Sequence, residues 1–87
     1  MTDTNASPDT RLTLITRVDC SHCEDAKRDL QRLGAAFDCV DVDEDAALLQ
    51  LYNDWVPVLL LDGAELARAP LNEQTLRLAV DLSRAEA

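Results

Sequence analysis

Positive charge is scarce in this chain: eight Lys and Arg residues stand against 17 Asp and Glu in 87 residues, for a formal net charge of -9. A surface of that sign attracts phosphate backbones poorly, so nucleic acid is not expected as a partner. No run approaches the roughly 20 apolar residues of a spanning helix, and the acidic, Thr-rich start lacks the basic and apolar regions of a secretory signal. No membrane association is expected, and the cytoplasm is the expected location. The length excludes a second sizeable domain. Cysteine is too sparse for a structural disulfide framework, because three thiols cannot all pair within one chain. A thiol-based site with one extra cysteine fits that count better.

What is present centres on Cys20-Ser21-His22-Cys23. The motif follows an extended apolar run and opens an amphipathic helix, with Val56-Pro57-Val58 downstream, an arrangement that points to a small thiol-disulfide oxidoreductase. The same spacing also serves structural zinc and iron-sulfur ligation. A zinc site wants about four close ligands, and only His22 and Cys39 could join the pair, unless a second chain supplies the rest. No metal ligands are therefore assigned. A noncatalytic binding protein using Val56 or Trp55 for recognition, and a metal-binding module, stand as the alternatives.

The pattern along the chain gives the expected architecture. Residues 1–10 read as a flexible tail and 11–87 as one domain. Arg11 to Val18 reads as a central strand, apolar at Leu12, Leu14 and Val18 with Ile15 on the other face. Cys23, Ala26, Leu30 and Leu33 share one helical face, and Gly34 stops that helix. Ala36 to Val42 is a second strand, holding Cys39 as a buried core thiol. Asp43 is expected to cap a helix that turns Ala47, Leu48, Leu51 and Tyr52 to the core. Val56 to Leu61 forms a strand with Pro57 at its beginning, and Asp62-Gly63 turns it into an antiparallel partner over Ala64 to Ala69. Asn72 caps a last helix with Leu76, Ala79, Val80 and Ser83 on one face, broadened by Leu78 and Leu82. The order strand, helix, strand, helix, strand, strand, helix implies an α/β fold: a four-stranded mixed sheet with three helices covering both faces.

Helix N-termini favour thiolates, so Cys20 is the expected nucleophile and Cys23, one turn on, the resolving thiol. His22 is a candidate for tuning the thiolate, and Ser21 and Glu24 have capping-box spacing. Val56 offers main-chain pairing to an extended substrate, Trp55 an apolar rim, and Arg17 a cation for a substrate carboxylate.

On these residues the chain resembles the glutaredoxin-like members of the thioredoxin superfamily from about Leu12 to Leu82. It is most similar to small bacterial glutaredoxin-like proteins, which share the acidic Val40-Asp41-Val42-Asp43-Glu44-Asp45 stretch and Val56-Pro57-Val58. The resemblance implies a thioredoxin-like fold, a redox-active Cys20-Cys23 disulfide, a cis-Pro57 beside Cys20, and Arg17 where glutaredoxins place a basic residue that assists glutathione binding. It implies substrates that are protein disulfides or glutathione mixed disulfides, with glutathione or a protein reductase for recycling. No tightly bound cofactor and a monomeric chain are expected. Three departures stand out. The motif is not Cys-Pro-Tyr-Cys or Cys-Gly-Pro-Cys, no acid lies near Leu14, and Ala69-Pro70-Leu71-Asn72 replaces the glutathione-holding Gly-Gly pattern.

Overall fold

The computed structural model describes residues 11–84, so the expected tail over 1–10 lies outside the described residues. Five strand residues, Leu12–Thr16 (β1), are followed by the helix Ser21–Arg32 (α1) and the strand Phe37–Asp41 (β2). A 3-10 turn at Val42–Glu44 leads into the short helix Ala46–Tyr52 (α2). The strands Val58–Leu61 (β3) and Ala64–Arg68 (β4) and the helix Glu73–Arg84 (α3) complete the chain. The sheet order is β2-β1-β3-β4, with β1 parallel to β2 and antiparallel to β3. This is the four-stranded mixed sheet with three helices that the pattern implied.

A central strand must be apolar on both faces, and β1 is. Leu12 and Leu14 join Leu59 under α1 and α3, where Ala26, Leu30, Leu76, Ala79 and Val80 close one core. Ile15 points the other way and meets Val58, Leu60, Val42 and Tyr52 in a second core on the α2 side. The strand is shorter than the alternation suggested, because a turn begins at Val18, which is 69% exposed, and Asp19 takes a positive φ of 63°.

Helix ends follow their local chemistry. Gly34, at φ 73°, closes α1 as a Schellman motif: its N–H donates to Gln31 and that of Ala35 to Leu30. Asp62 and Gly63, both at positive φ, form the two-residue turn between β3 and β4. Asn72 caps α3 by accepting from the Thr75 N–H at 2.8 Å.

Four expectations change. Asp45, not Asp43, caps α2, accepting from Ala47 and Leu48. The 3-10 turn, itself capped by Asp41, uses up the residues between and delays the helix start. Leu48 and Tyr52 face the core as expected and Leu49 joins them, but Ala47 and Leu51 are exposed. Leu78 and Leu82 are 59% and 47% exposed; they lie about 200° and 240° around α3 from Leu76, on its outer face. Cys39 is half-buried, not buried, because β2 is an edge strand.

Candidate active site

Strand register brings four chain segments to one edge of the sheet. Thr16 pairs Asp41, Ile15 pairs Val58, and Val58 pairs Arg68, so the exits of β1, β2 and β4 lie beside the entry to β3. Arg17 to Cys20, the acidic turn after Asp41, Asn53 to Pro57, and Arg68 to Pro70 therefore converge.

The positive φ of Asp19 swings the chain from β1 into α1 and makes Cys20 the N-cap. Its backbone is extended, at φ -109° and ψ 106°, and its Sγ accepts the Cys23 N–H at 3.2 Å. Its carbonyl accepts the Glu24 N–H, the first intrahelical bond. Ser21 is thus the first helical residue, exposed, and the expected capping box does not form: the sulfur one residue earlier occupies the capping position. Cys20 and Cys23 are disulfide-bonded with Cα atoms 5.2 Å apart. Their exposures differ. Cys23 is fully enclosed at 0%, whereas Cys20 is half-buried and presents its sulfur at the helix end. His22 is exposed and makes no polar contact among the described residues.

Pro57 is buried and its bond to Val56 is cis, as the resemblance implied; the Ala69-Pro70 bond, for which no isomer was expected, is cis as well. The flanking backbone is tied down: the Trp55 N–H donates to Tyr52 at 2.9 Å and its carbonyl accepts from Ala69 at 3.3 Å. Among the described residues no backbone hydrogen bond falls on half-buried Val56. Trp55 is exposed, and the Arg68 guanidinium lies 4.8 Å from its ring centroid. Arg68 is also held by Glu65 at 2.7 and 2.8 Å, a hydrogen bond that raises its pKa.

Arg17 reaches the same edge with its donors engaged. Nε and Nη2 grip both Asp43 carboxylate oxygens at 3.0 Å, and Nη1 and Nη2 take the Asn53 carbonyl and side chain. The hydrogen bond to Asp43 leads the effects that raise the Arg17 pKa. Sequence reasoning missed Asp43 and Asn53 as its partners. Parallel register was the available signal, since Arg17 and Asp43 lie one and two residues beyond the paired Thr16 and Asp41.

Cys39 stands apart from the pair in chain position, on β2 opposite Leu14, and burial pushes its thiol pKa up. No three His, Cys, Asp or Glu among the described residues form a group able to hold a metal. A concavity of about 780 Å³ runs along α2, lined by Ala46, Ala47, Leu49, Gln50, Asn53 and Asp54, with neither paired cysteine in its wall. Attack at sulfur requires an accessible Sγ and not a pocket. No described helix is long and apolar enough to cross a membrane.

Residues 11–81 match the family model of the glutaredoxin-like domain (DUF836). A solved structure of protein XcR50 from X. campestris is 41% identical, covering 82% of this chain and 96% of its own, with a TM-score of 0.69. The thioredoxin-like protein BC3987 is 27% identical over 78% of this chain and 97% of its own, with a TM-score of 0.61. Buckwheat glutaredoxin in complex with glutathione, at 20% identity, covers 88% of this chain and 82% of its own, and its TM-score of 0.60 makes it a likeness of fold alone. No curated protein matches the chain.

Proposed function

The chain belongs to the glutaredoxin-like family and is a thiol-disulfide oxidoreductase, and we propose that Cys20 is its nucleophile and Cys23 its resolving thiol. The carrying observation is the asymmetry of the pair: Cys20 Sγ sits at the half-buried N-cap and Cys23 is fully enclosed in the first turn of the helix. In the reduced protein the helix N-terminus and the Cys23 N–H favour negative charge on Cys20 Sγ. That thiolate attacks a substrate disulfide in line, the substrate sulfur-sulfur bond breaks, and one thiolate departs. Cys23, having lost its proton to solvent, attacks Cys20 Sγ in the mixed disulfide and releases the second thiolate. Two electrons pass to the substrate, and its two sulfurs take two protons from water.

Other side chains assist in this reading. Val56, with its backbone unclaimed among the described residues, pairs with an extended substrate segment beside Pro57, and Trp55 supplies an apolar rim. His22 stabilises the Cys20 thiolate when protonated. Arg17, held by Asp43 and Asn53, meets a substrate carboxylate only by exchanging those partners. Protein disulfides or glutathione mixed disulfides are the substrates, glutathione or a protein reductase returns the electrons, and the monomer acts in the cytoplasm.

Thiol trapping and mass spectrometry across a glutathione redox series test the assignment. A reversible Cys20-Cys23 disulfide is expected, near the roughly -200 to -230 mV of glutaredoxins. Cys23→Ser is expected to accumulate a mixed disulfide at Cys20, and equal accumulation at Cys23 in Cys20→Ser would reject the division of roles.

A further inference from the structure

Both arginines at the redox edge are already neutralised from within the chain. Asp43 takes Arg17 through two hydrogen bonds at 3.0 Å, and Glu65 takes Arg68 at 2.7 and 2.8 Å. The opposite sign is in excess: Asp19, Glu24, Asp41 and Asp54 form no ion pair among the described residues, against Lys27 on α1 as the nearby cation that forms none either. Asp19 immediately precedes Cys20, and Glu24 stands in the first turn of α1. Asp41 pairs Thr16, the residue before Arg17, and Asp54 follows Asn53, whose carbonyl accepts from Arg17, so both stand near the same guanidinium.

Resting on the redox reading above, we propose that the Arg17-Asp43 pair makes this site selective for cationic disulfide substrates, such as disulfides in basic protein segments, over anionic ones such as glutathione disulfide. A free Arg17 would offer a planar donor pair to an incoming carboxylate; Asp43 fills that fork and returns the edge to net negative potential. A charged edge changes encounter rates by factors of roughly 10 to 10³ at low ionic strength. Asp43 acts here as a positioning residue, since it holds Arg17 and touches no reacting atom.

The test is a single-turnover oxidation of the pre-reduced protein by three small disulfides: cystamine (dicationic), bis(2-hydroxyethyl) disulfide (neutral) and 3,3′-dithiodipropionate (dianionic). Each reaction forms the Cys20-Cys23 disulfide and releases two small thiols, so no recycling reductant is needed. Rates are divided by those of 2-mercaptoethanol with the same disulfides, which removes their intrinsic reactivity. The expected cystamine to dithiodipropionate ratio is at least about tenfold at low salt. It should collapse toward one near 1 M salt, where the Debye length is about 3 Å. In Asp43→Asn the ratio of dithiodipropionate to neutral disulfide should rise several-fold, and Asp43→Glu should restore it, a pattern that a merely structural role for Asp43 would not produce.

The failures separate cleanly. No oxidation by the neutral disulfide overturns the redox reading and this inference together. Turnover of the neutral disulfide with a flat or reversed charge order overturns the inference alone. Should Asp43→Asn fail to fold, Asp43→Ser takes its place with the same expected rise, and a flat wild-type charge ratio overturns the inference without any variant.

Discussion

Cys20 has two roles in the structure that substitution can pull apart: a sulfur able to exchange disulfides, and the N-cap acceptor for the Cys23 N–H at 3.2 Å. Serine keeps an acceptor at that position and is among the preferred N-caps, whereas alanine keeps neither acceptor nor nucleophile. Both variants lack the cross-link, so the comparison isolates the cap. Replacing a capping side chain by alanine costs about 1 kcal/mol, within a range of about 0.5–2 kcal/mol. For a domain of this size 1 kcal/mol moves the thermal midpoint by about 4–8 °C. Cys20→Ala is therefore expected to melt about 4–8 °C below Cys20→Ser, with both devoid of dithiol turnover. Thermal and urea unfolding in excess dithiothreitol provide the stabilities, and reduction of bis(2-hydroxyethyl) disulfide provides the activity. Equal stability of the two variants would refute the capping role of Sγ, and residual dithiol turnover in Cys20→Ser would refute its chemical one.

Further outcomes follow from packing and charge. Leu30→Ala should destabilise by about 2–5 kcal/mol, because the side chain is fully enclosed between the sheet and α3, and urea midpoints will show it. Leu82→Ala, on the outer face of α3, should stay within about 0.5 kcal/mol by the same measurement. The Arg11 guanidinium, by hydrogen bonding, holds the Asp62 carboxyl below the usual carboxylate range. Its contribution is present above the unfolded-state value, about 3.9, and is lost as pH falls through the lower folded value. Asp62→Asn, whose side chain tolerates the φ of 53°, should lose less stability than wild type as the pH falls below about 4, read from urea midpoints. An unchanged acid slope would exclude the ion pair as its source.

Features governed by near neighbours were legible in the sequence. Gly34 and Asp62-Gly63 announce positive φ, Asn72 announces a cap, and the apolar spacing of Cys23, Ala26 and Leu30 announces a buried helix face. The dithiol motif was legible because its chemistry needs only a strand exit and a helix start. What escaped depends on strand order. Asp41, Asp43 and Asp45 are equally good caps taken locally; parallel pairing of β1 with β2 diverts Asp43 to Arg17 and leaves the capping to its neighbours. Cys39 looked internal because its apolar run does not reveal that β2 lies at the edge. The capping-box spacing of Ser21 and Glu24 was real, but the helix begins one residue earlier, where a sulfur accepts the bond instead.

The enclosure of Cys23 bears on how electrons enter and leave. An external thiol or disulfide meets the pair only at Cys20, because Cys23 exposes no surface. Oxidation of the dithiol and reduction of the disulfide must then pass through the same intermediate, a mixed disulfide at Cys20, under the proposed division of roles. The Cys23 N–H that accompanies Cys20 Sγ in the oxidised protein is already aimed at the charge that appears on it when the disulfide opens. Stabilisation of that charge requires no new donor. Under the proposed charge selectivity, the potential around Cys20, to which Asp19, Glu24 and the closed Arg17-Asp43 pair contribute, acts on both half-reactions. A site that slows anionic disulfides in one direction will slow an anionic reductant in the other, so substrate and reductant selectivity should shift together when Asp43 is changed.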